Sequence, residues 1–142
     1  QVHWRFTLAQ RTAAMGPAAV IAEMLPKLLA PTRYDRDPDF VARVKIMLSA
    51  APVPGIIGAL MALAERPDST NLLPAITIPT LIIVGADDVL TTTADAERMA
   101  KGIAGAELVV IPDAGHLSNL EQPDQFTAAV ERFAERLVLS RR

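Results

Sequence analysis

Two short apolar runs, Thr80-Leu81-Ile82-Ile83-Val84 and Glu107-Leu108-Val109-Val110-Ile111, most constrain what this chain can fold into. Each is continuous, rich in β-branched residues and stopped by a breaker, Gly85 in the first and Pro112 in the second. Such runs predict strands buried on both faces. Between them, Thr92-Thr93-Ala94-Asp95 has the form of a capping box and predicts a helix that ends at Gly102. After the second run, Pro123 opens a helix with Phe126, Val130, Phe133 and Leu137 on one face. Strand, helix, strand, helix at this spacing predicts a parallel α/β unit with a right-handed crossover.

The rest of the chain reads differently. From about Arg5 to about Pro67 only helices are predicted. Gly16-Pro17 starts one, in which Val20, Ile21, Met24, Leu25, Leu28 and Leu29 recur at helical spacing. Pro26 interrupts that pattern and should kink or split the helix. Asp37-Pro38 starts another, with Asp as N-cap, Pro at the first helical position, and Phe40, Val41, Val44, Met47 and Leu48 as its apolar face. Pro54-Gly55 leads into Ile56, Ile57, Leu60, Met61 and Leu63. The predicted division is a helical region over 1–72 and an α/β region over 73–142.

Composition narrows the function classes. With 142 residues, 51% hydrophobic and 21% charged, the chain is long enough to build a core. A net charge of −2 with scattered basic residues predicts neither nucleic-acid nor membrane partners. The absence of cysteine excludes disulfides, thiol catalysis and thiolate metal sites. No apolar run reaches the roughly 18 residues that span a bilayer. A cytoplasmic location is expected. The opening Gln1-Val2-His3-Trp4-Arg5-Phe6 has no Met and no signal pattern, and the chain is expected to be part of something longer.

The chemistry-bearing residues follow the two strands. In open parallel sheets, sites form beyond the carboxyl ends of strands. There the first strand leads to Gly85-Ala86-Asp87-Asp88 and the second to Asp113-Ala114-Gly115-His116. If the strands are neighbours, a carboxylate and an imidazole lie side by side. That is the pair that activates a hydroxyl nucleophile: the acid fixes the tautomer and the imidazole takes the proton. The plainer reading is a turn-capping aspartate and a surface histidine.

Ile78-Pro79-Thr80-Leu81-Ile82-Ile83-Val84-Gly85-Ala86-Asp87-Asp88 resembles the acid-bearing strand and turn of α/β-hydrolases. Val110-Ile111-Pro112-Asp113-Ala114-Gly115-His116-Leu117-Ser118-Asn119-Leu120-Glu121-Gln122-Pro123 resembles the segment that carries their catalytic histidine. The wording around His116 is most similar to the branch of 3-oxoadipate enol-lactonases, cofactor-free haloperoxidase-like enzymes and small carboxylesterases. The resemblance is strong over about Leu73 to Leu137. It implies that Asp88 is the catalytic acid, Asp87 its neighbour and His116 the base, and that residues 1–72 are the helical cap. The implied fold class is α/β, a cap followed by the last two parallel strands and helices of the hydrolase sheet. Thr92 stands where many members have Pro, which alters a helix start and not the chemistry.

The family nucleophile sits in Gly-x-Ser-x-Gly, and that motif does not occur here. Ser49, Ser69, Ser118 and Ser140 all lack the flanking glycines. The resemblance therefore implies that the serine and the oxyanion-hole loop lie upstream of Gln1, and that these 142 residues alone are inactive. The function expected of the longer protein is a serine hydrolase acting on a carboxylic ester or enol-lactone, with no metal and no cofactor. The alternative is a non-catalytic module that binds a partner or self-associates. A homo-oligomer or a missing N-terminal half is expected, because the first strand would otherwise keep an open edge. His3 is expected to be inert and Asp113 a solvated loop residue. Met24, Met47 and Met61 have two readings, core or pocket lining, and core is expected for each.

Overall fold

The structure, a computed structural model, describes residues 2–139. It divides into two compact units. The first comprises Gln1–Pro26 and Tyr34–Asp68, the second Lys27–Arg33 and Ser69–Arg142. The chain thus visits the second unit briefly before returning to complete the first.

The first unit is helical: α1 (Val2–Met15), most of α2 (Pro17–Leu28), the end of α3 (Pro31–Arg36), α4 (Pro38–Ser49) and α5 (Val53–Glu65). Helix α1 packs along α5. Leu8, Ala9, Ala19 and Leu60 form the buried centre, with Trp4, Val20, Met24, Ile56, Ile57 and Met61 against it. Gly16 ends α1 at φ +68°, and its N–H donates to the Thr12 carbonyl (2.8 Å). A side chain there would be strained, which is why helices favour glycine at this position. Asp37 caps α4, its Oδ1 accepting from the Phe40 N–H at 3.0 Å. Such caps contribute about 1 kcal/mol.

Two expectations for this unit need correction. Of the two outcomes expected at Pro26, a kink or a split, the split does not occur, since the helix runs through it to Leu28. A proline costs the hydrogen bond back to the turn before it, and here the helix ends two residues later, at Leu28. Met47 is not core: it is 60% exposed, and of the apolar face proposed for α4 only Phe40 and Val44 are buried. Met24 and Met61 do pack against the core. The groove of about 600 Å³ in this unit is lined instead by residues such as Ile21, Leu25, Tyr34 and Val41.

The second unit holds the two strands β1 (Leu81–Gly85) and β2 (Glu107–Ile111), with α6 (Thr93–Gly102) between them. They pair in parallel, from Leu81 opposite Glu107 to Gly85 opposite Ile111. The capping box forms as the sequence predicts: Asp95 N–H donates to Thr92 Oγ1, and Thr92 N–H donates to Asp95 Oδ2. A 3-10 turn over Thr70–Ala75 lays Leu73 against Gly102, where a Cβ would stand 2.8 Å from the leucine side chain. A short helix α7 (Ser118–Glu121) precedes the long α8 (Pro123–Leu139). The sequence pattern anticipates neither the 3-10 turn nor α7.

The strands are less covered than their composition predicts. Val84, Gly85 and Ile111 are buried, but Leu81, Ile82 and Ile83 are only partly so, and Val110 is 43% exposed. A sheet of two strands is all edge, so the burial expected of an interior strand does not follow. Among the described residues no single helix is long and apolar enough to cross a membrane.

Candidate active site

Register places the site. Because Gly85 pairs with Ile111, both strands leave the sheet at the same level and in the same direction. Asp88 comes three residues after Gly85, and His116 five after Ile111. The two exits are clipped together by backbone hydrogen bonds: Ala86 N–H to the Ile111 carbonyl (2.8 Å) and Asp87 N–H to the Ala114 carbonyl (2.9 Å). The approach is so close that a Cβ on Gly85 would lie 2.2 Å from the Gly115 carbonyl oxygen. Only glycine fits there. Asp113 takes φ +50°, a left-handed conformation that Asp tolerates, to turn the second exit. Its side chain is exposed, as expected of a solvated loop residue.

Within this clasp, Asp88 Oδ2 lies 2.9 Å from His116 Nδ1. The two side chains differ sharply in exposure, 4% for Asp88 against 36% for His116. The carboxylate is thus enclosed while the imidazole keeps an open side. Asp88 Oδ1 accepts from the N–H groups of Leu90 (2.8 Å) and Thr91 (3.0 Å). Its Oδ2 also accepts from the Thr91 hydroxyl at 2.7 Å. Burial works to raise the Asp88 pKa, but the Thr91 N–H and hydroxyl, then His116 and the Leu90 N–H, together outweigh it. The carboxyl is held below its ordinary value and stays ionised at neutral pH.

These contacts also settle the imidazole's tautomer. The Thr91 hydroxyl spends its proton on Asp88, so the oxygen it presents to His116 Nδ1, 3.2 Å away, is an acceptor. Nδ1 therefore faces two acceptors and must carry the ring proton. In the neutral ring Nε2 is left with a lone pair. Among the described residues Nε2 has no hydrogen-bond partner, while Nδ1 is anchored.

Asp87 does not join this pair. Its side chain is exposed, and what it supplies is the backbone clip to Ala114. Asp87→Asn in the full-length protein is expected to leave ester turnover within about two- to three-fold, since such surface changes rarely exceed ~0.5 kcal/mol. A loss equal to that of Asp88→Asn, in the same steady-state assay, would leave the acid unassigned.

Thr91 is the site residue that sequence reading missed. The capping box begins one residue later, at Thr92, and the sequence pattern does not mark Thr91. The available signal was its place three residues after an aspartate, where a hydroxyl and an N–H can both fold back onto the carboxylate. His3 is exposed on α1. Ser49 lies in α4, where its hydroxyl donates to the Lys45 carbonyl, and Ser118 is buried at the start of α7. Ser140 lies outside the described residues. Among the described residues no group of three or more His, Cys, Asp or Glu side chains is placed to hold a metal ion.

Comparison with known proteins shows the family. The model of the alpha/beta hydrolase family matches residues 2–130. The chain is 38% identical over 125 residues to 3-oxoadipate enol-lactonase 1 of Acinetobacter baylyi, covering 82% of this chain and 46% of that protein. Among solved structures, a thermophilic esterase from Thermogutta terrifontis superposes with a TM-score of 0.89 at 37% identity, covering 95% of this chain and 50% of that one. The enol-lactonase from Burkholderia xenovorans gives 0.83 at 28% identity, with 92% and 49% covered. The chain thus spans about half the length of the relatives it matches. With its family pattern matched over nearly its whole length, the chain belongs to the alpha/beta hydrolase family.

Proposed function

We propose that this chain is the C-terminal portion of a cytoplasmic serine hydrolase that cleaves a carboxylic ester or an enol-lactone, with Asp88 as acid, His116 as base and the serine upstream of Gln1. The observation that carries the reading is the buried, ionised Asp88 hydrogen-bonded to the Nδ1 of a half-open His116. The enol-lactonase and esterase relatives support the substrate class.

In this reading His116 Nε2 takes the proton of the serine hydroxyl as its oxygen attacks the ester carbonyl. Asp88 stabilises the imidazolium that results. The tetrahedral intermediate collapses as His116 passes that proton to the leaving alkoxide or enolate. Water then repeats the sequence on the acyl-enzyme: His116 accepts its proton, the acid product departs, and the serine is restored. None of these steps calls on a metal or cofactor. Residues 1–72 serve as the helical cap region in this reading. The direct check is hydrolysis of p-nitrophenyl esters by the full-length protein. Turnover is expected without added metal or cofactor, and a folded protein inert toward short and medium acyl chains would overturn the assignment.

A second reading, a self-associating module, has one observation in its favour. Among the described residues β1 pairs with β2 alone, and its run Leu81-Ile82-Ile83-Val84 has neither charge nor proline to guard the other edge. Ile46, Met47 and Ile78 are also 60% or more exposed. The isolated 142 residues are therefore expected to run in light scattering at a multiple of 15.2 kDa, by pairing Thr80–Val84 between copies. A soluble, cooperatively folding monomer at micromolar concentration would show that the chain protects this edge by itself.

A further inference from the structure

Among the described residues of the C-terminal unit Glu121 is the second buried carboxyl group, 1% exposed, and the proton chemistry above makes no use of it. Its two oxygens take two backbone donors from distant parts of the chain. Oε1 accepts from the Ala30 N–H and Oε2 from the Gly115 N–H, each at 2.8 Å. One donor belongs to the residue just before His116. The other belongs to the segment 27–33 that crosses into this unit. That segment in turn grips the far side of the histidine, since the Leu117 N–H donates to the Leu28 carbonyl at 3.2 Å. Arg33 closes the ring by donating to the Glu121 carbonyl at 2.6 Å.

We propose that Glu121 is a positioning residue for His116, acting through the clamp it forms between Gly115 and Ala30. The inference rests on the reading of Asp88 and His116 as an acid–base pair. The peptide N–H groups on either side of His116 are both pinned, one to Glu121 itself and one to the segment that Glu121 holds. Packing leaves no slack: a Cβ on Gly115 would lie 2.7 Å from the Ala30 nitrogen. Ala30 and Gly115 are both buried, so without Glu121 their N–H groups would have no acceptor and the loop would have to shift to find one. His116 Nδ1 is shared between Asp88 and Thr91, 0.3 Å apart in distance, and a small displacement of the loop alters which acceptor it faces. A residue that merely stabilised the fold would change the melting temperature and leave the imidazole as it was.

Glu121→Gln separates these roles. It keeps one acceptor and sets an NH2 group against the other N–H. In the full-length protein, well below the melting temperature of the variant, kcat for p-nitrophenyl acetate is expected to fall about 100-fold, the scale of a misplacement near 1 Å. KM should change little, because the loss falls on the transition state. With 15N-labelled histidine, the ring nitrogens of His116 should move from a single Nδ1–H tautomer toward a mixture of both. A folded Glu121→Gln protein with unaltered kcat and an unaltered tautomer would overturn the proposal. Should that variant not fold, Glu121→Asp, which keeps both acceptors but withdraws them by one methylene, is read in the same way. The ring measurement requires no turnover. If His116→Ala kept full activity, the functional reading would fail while the tautomer still decided the positioning role.

Discussion

His116→Ala in the full-length protein is expected to lower kcat for a p-nitrophenyl ester by about 10⁴- to 10⁶-fold, with a much smaller change in KM. In the proposed mechanism the imidazole carries the proton between nucleophile and leaving group. Its Nδ1 is anchored 2.9 Å from Asp88, its Nε2 has no hydrogen-bond partner among the described residues, and it keeps an open side. Alanine removes the base and leaves the Asp88 carboxylate with its Leu90 and Thr91 partners, so the fold should survive. Steady-state kinetics with a circular dichroism control checks this. A loss under ten-fold would place the base elsewhere.

Asp88→Asn is expected to cost about 10⁴-fold in kcat, for a different reason. The amide is the same shape, and its oxygen can still accept from the N–H groups of Leu90 and Thr91. Its NH2 would then face His116 Nδ1, donor against donor. The ring answers by moving its proton to Nε2, the nitrogen that must be empty to act as base. The variant also lacks the charge that balances the imidazolium. Hydrolysis of the same ester, set beside that by Asp87→Asn, measures how much of the catalysis depends on the buried carboxylate. Severe loss at Asp87 with little at Asp88 would reverse the assignment.

What the sequence revealed and what it hid follow from how local each feature is. The two strands, the Asp37 cap, the capping box at Thr92 and the helix after Pro123 all depend on neighbours within a few residues, and each forms, the first strand one residue later than read because Gly85 still pairs with Ile111. Asp88 and His116 stood out through the resemblance of the segments that carry them, and parallel register brings their side chains within 2.9 Å. Thr91 and Glu121 did not. A threonine in a linker and a glutamate just before Gln122-Pro123 look like solvated turn residues, and only the tertiary fold brings Ala30 to Glu121, 91 positions away. The excursion of residues 27–33 was hidden for the same reason, since nothing in a helix-like Lys27-Leu28-Leu29-Ala30 says what it will touch. Strand burial was misjudged because an apolar run reports a strand's preference for cover, not the number of strands present to provide it.

The measurement that tests the central claim most directly is the reaction of the full-length protein with p-nitrophenyl diethyl phosphate. If His116 with Asp88 activates an upstream serine, the protein should release one equivalent of p-nitrophenolate and gain one diethyl phosphoryl group on that serine. His116→Ala should do neither on the same timescale. Phosphorylation that proceeds equally fast in wild type and His116→Ala, or a wild-type protein that takes up no phosphoryl group, would contradict the account.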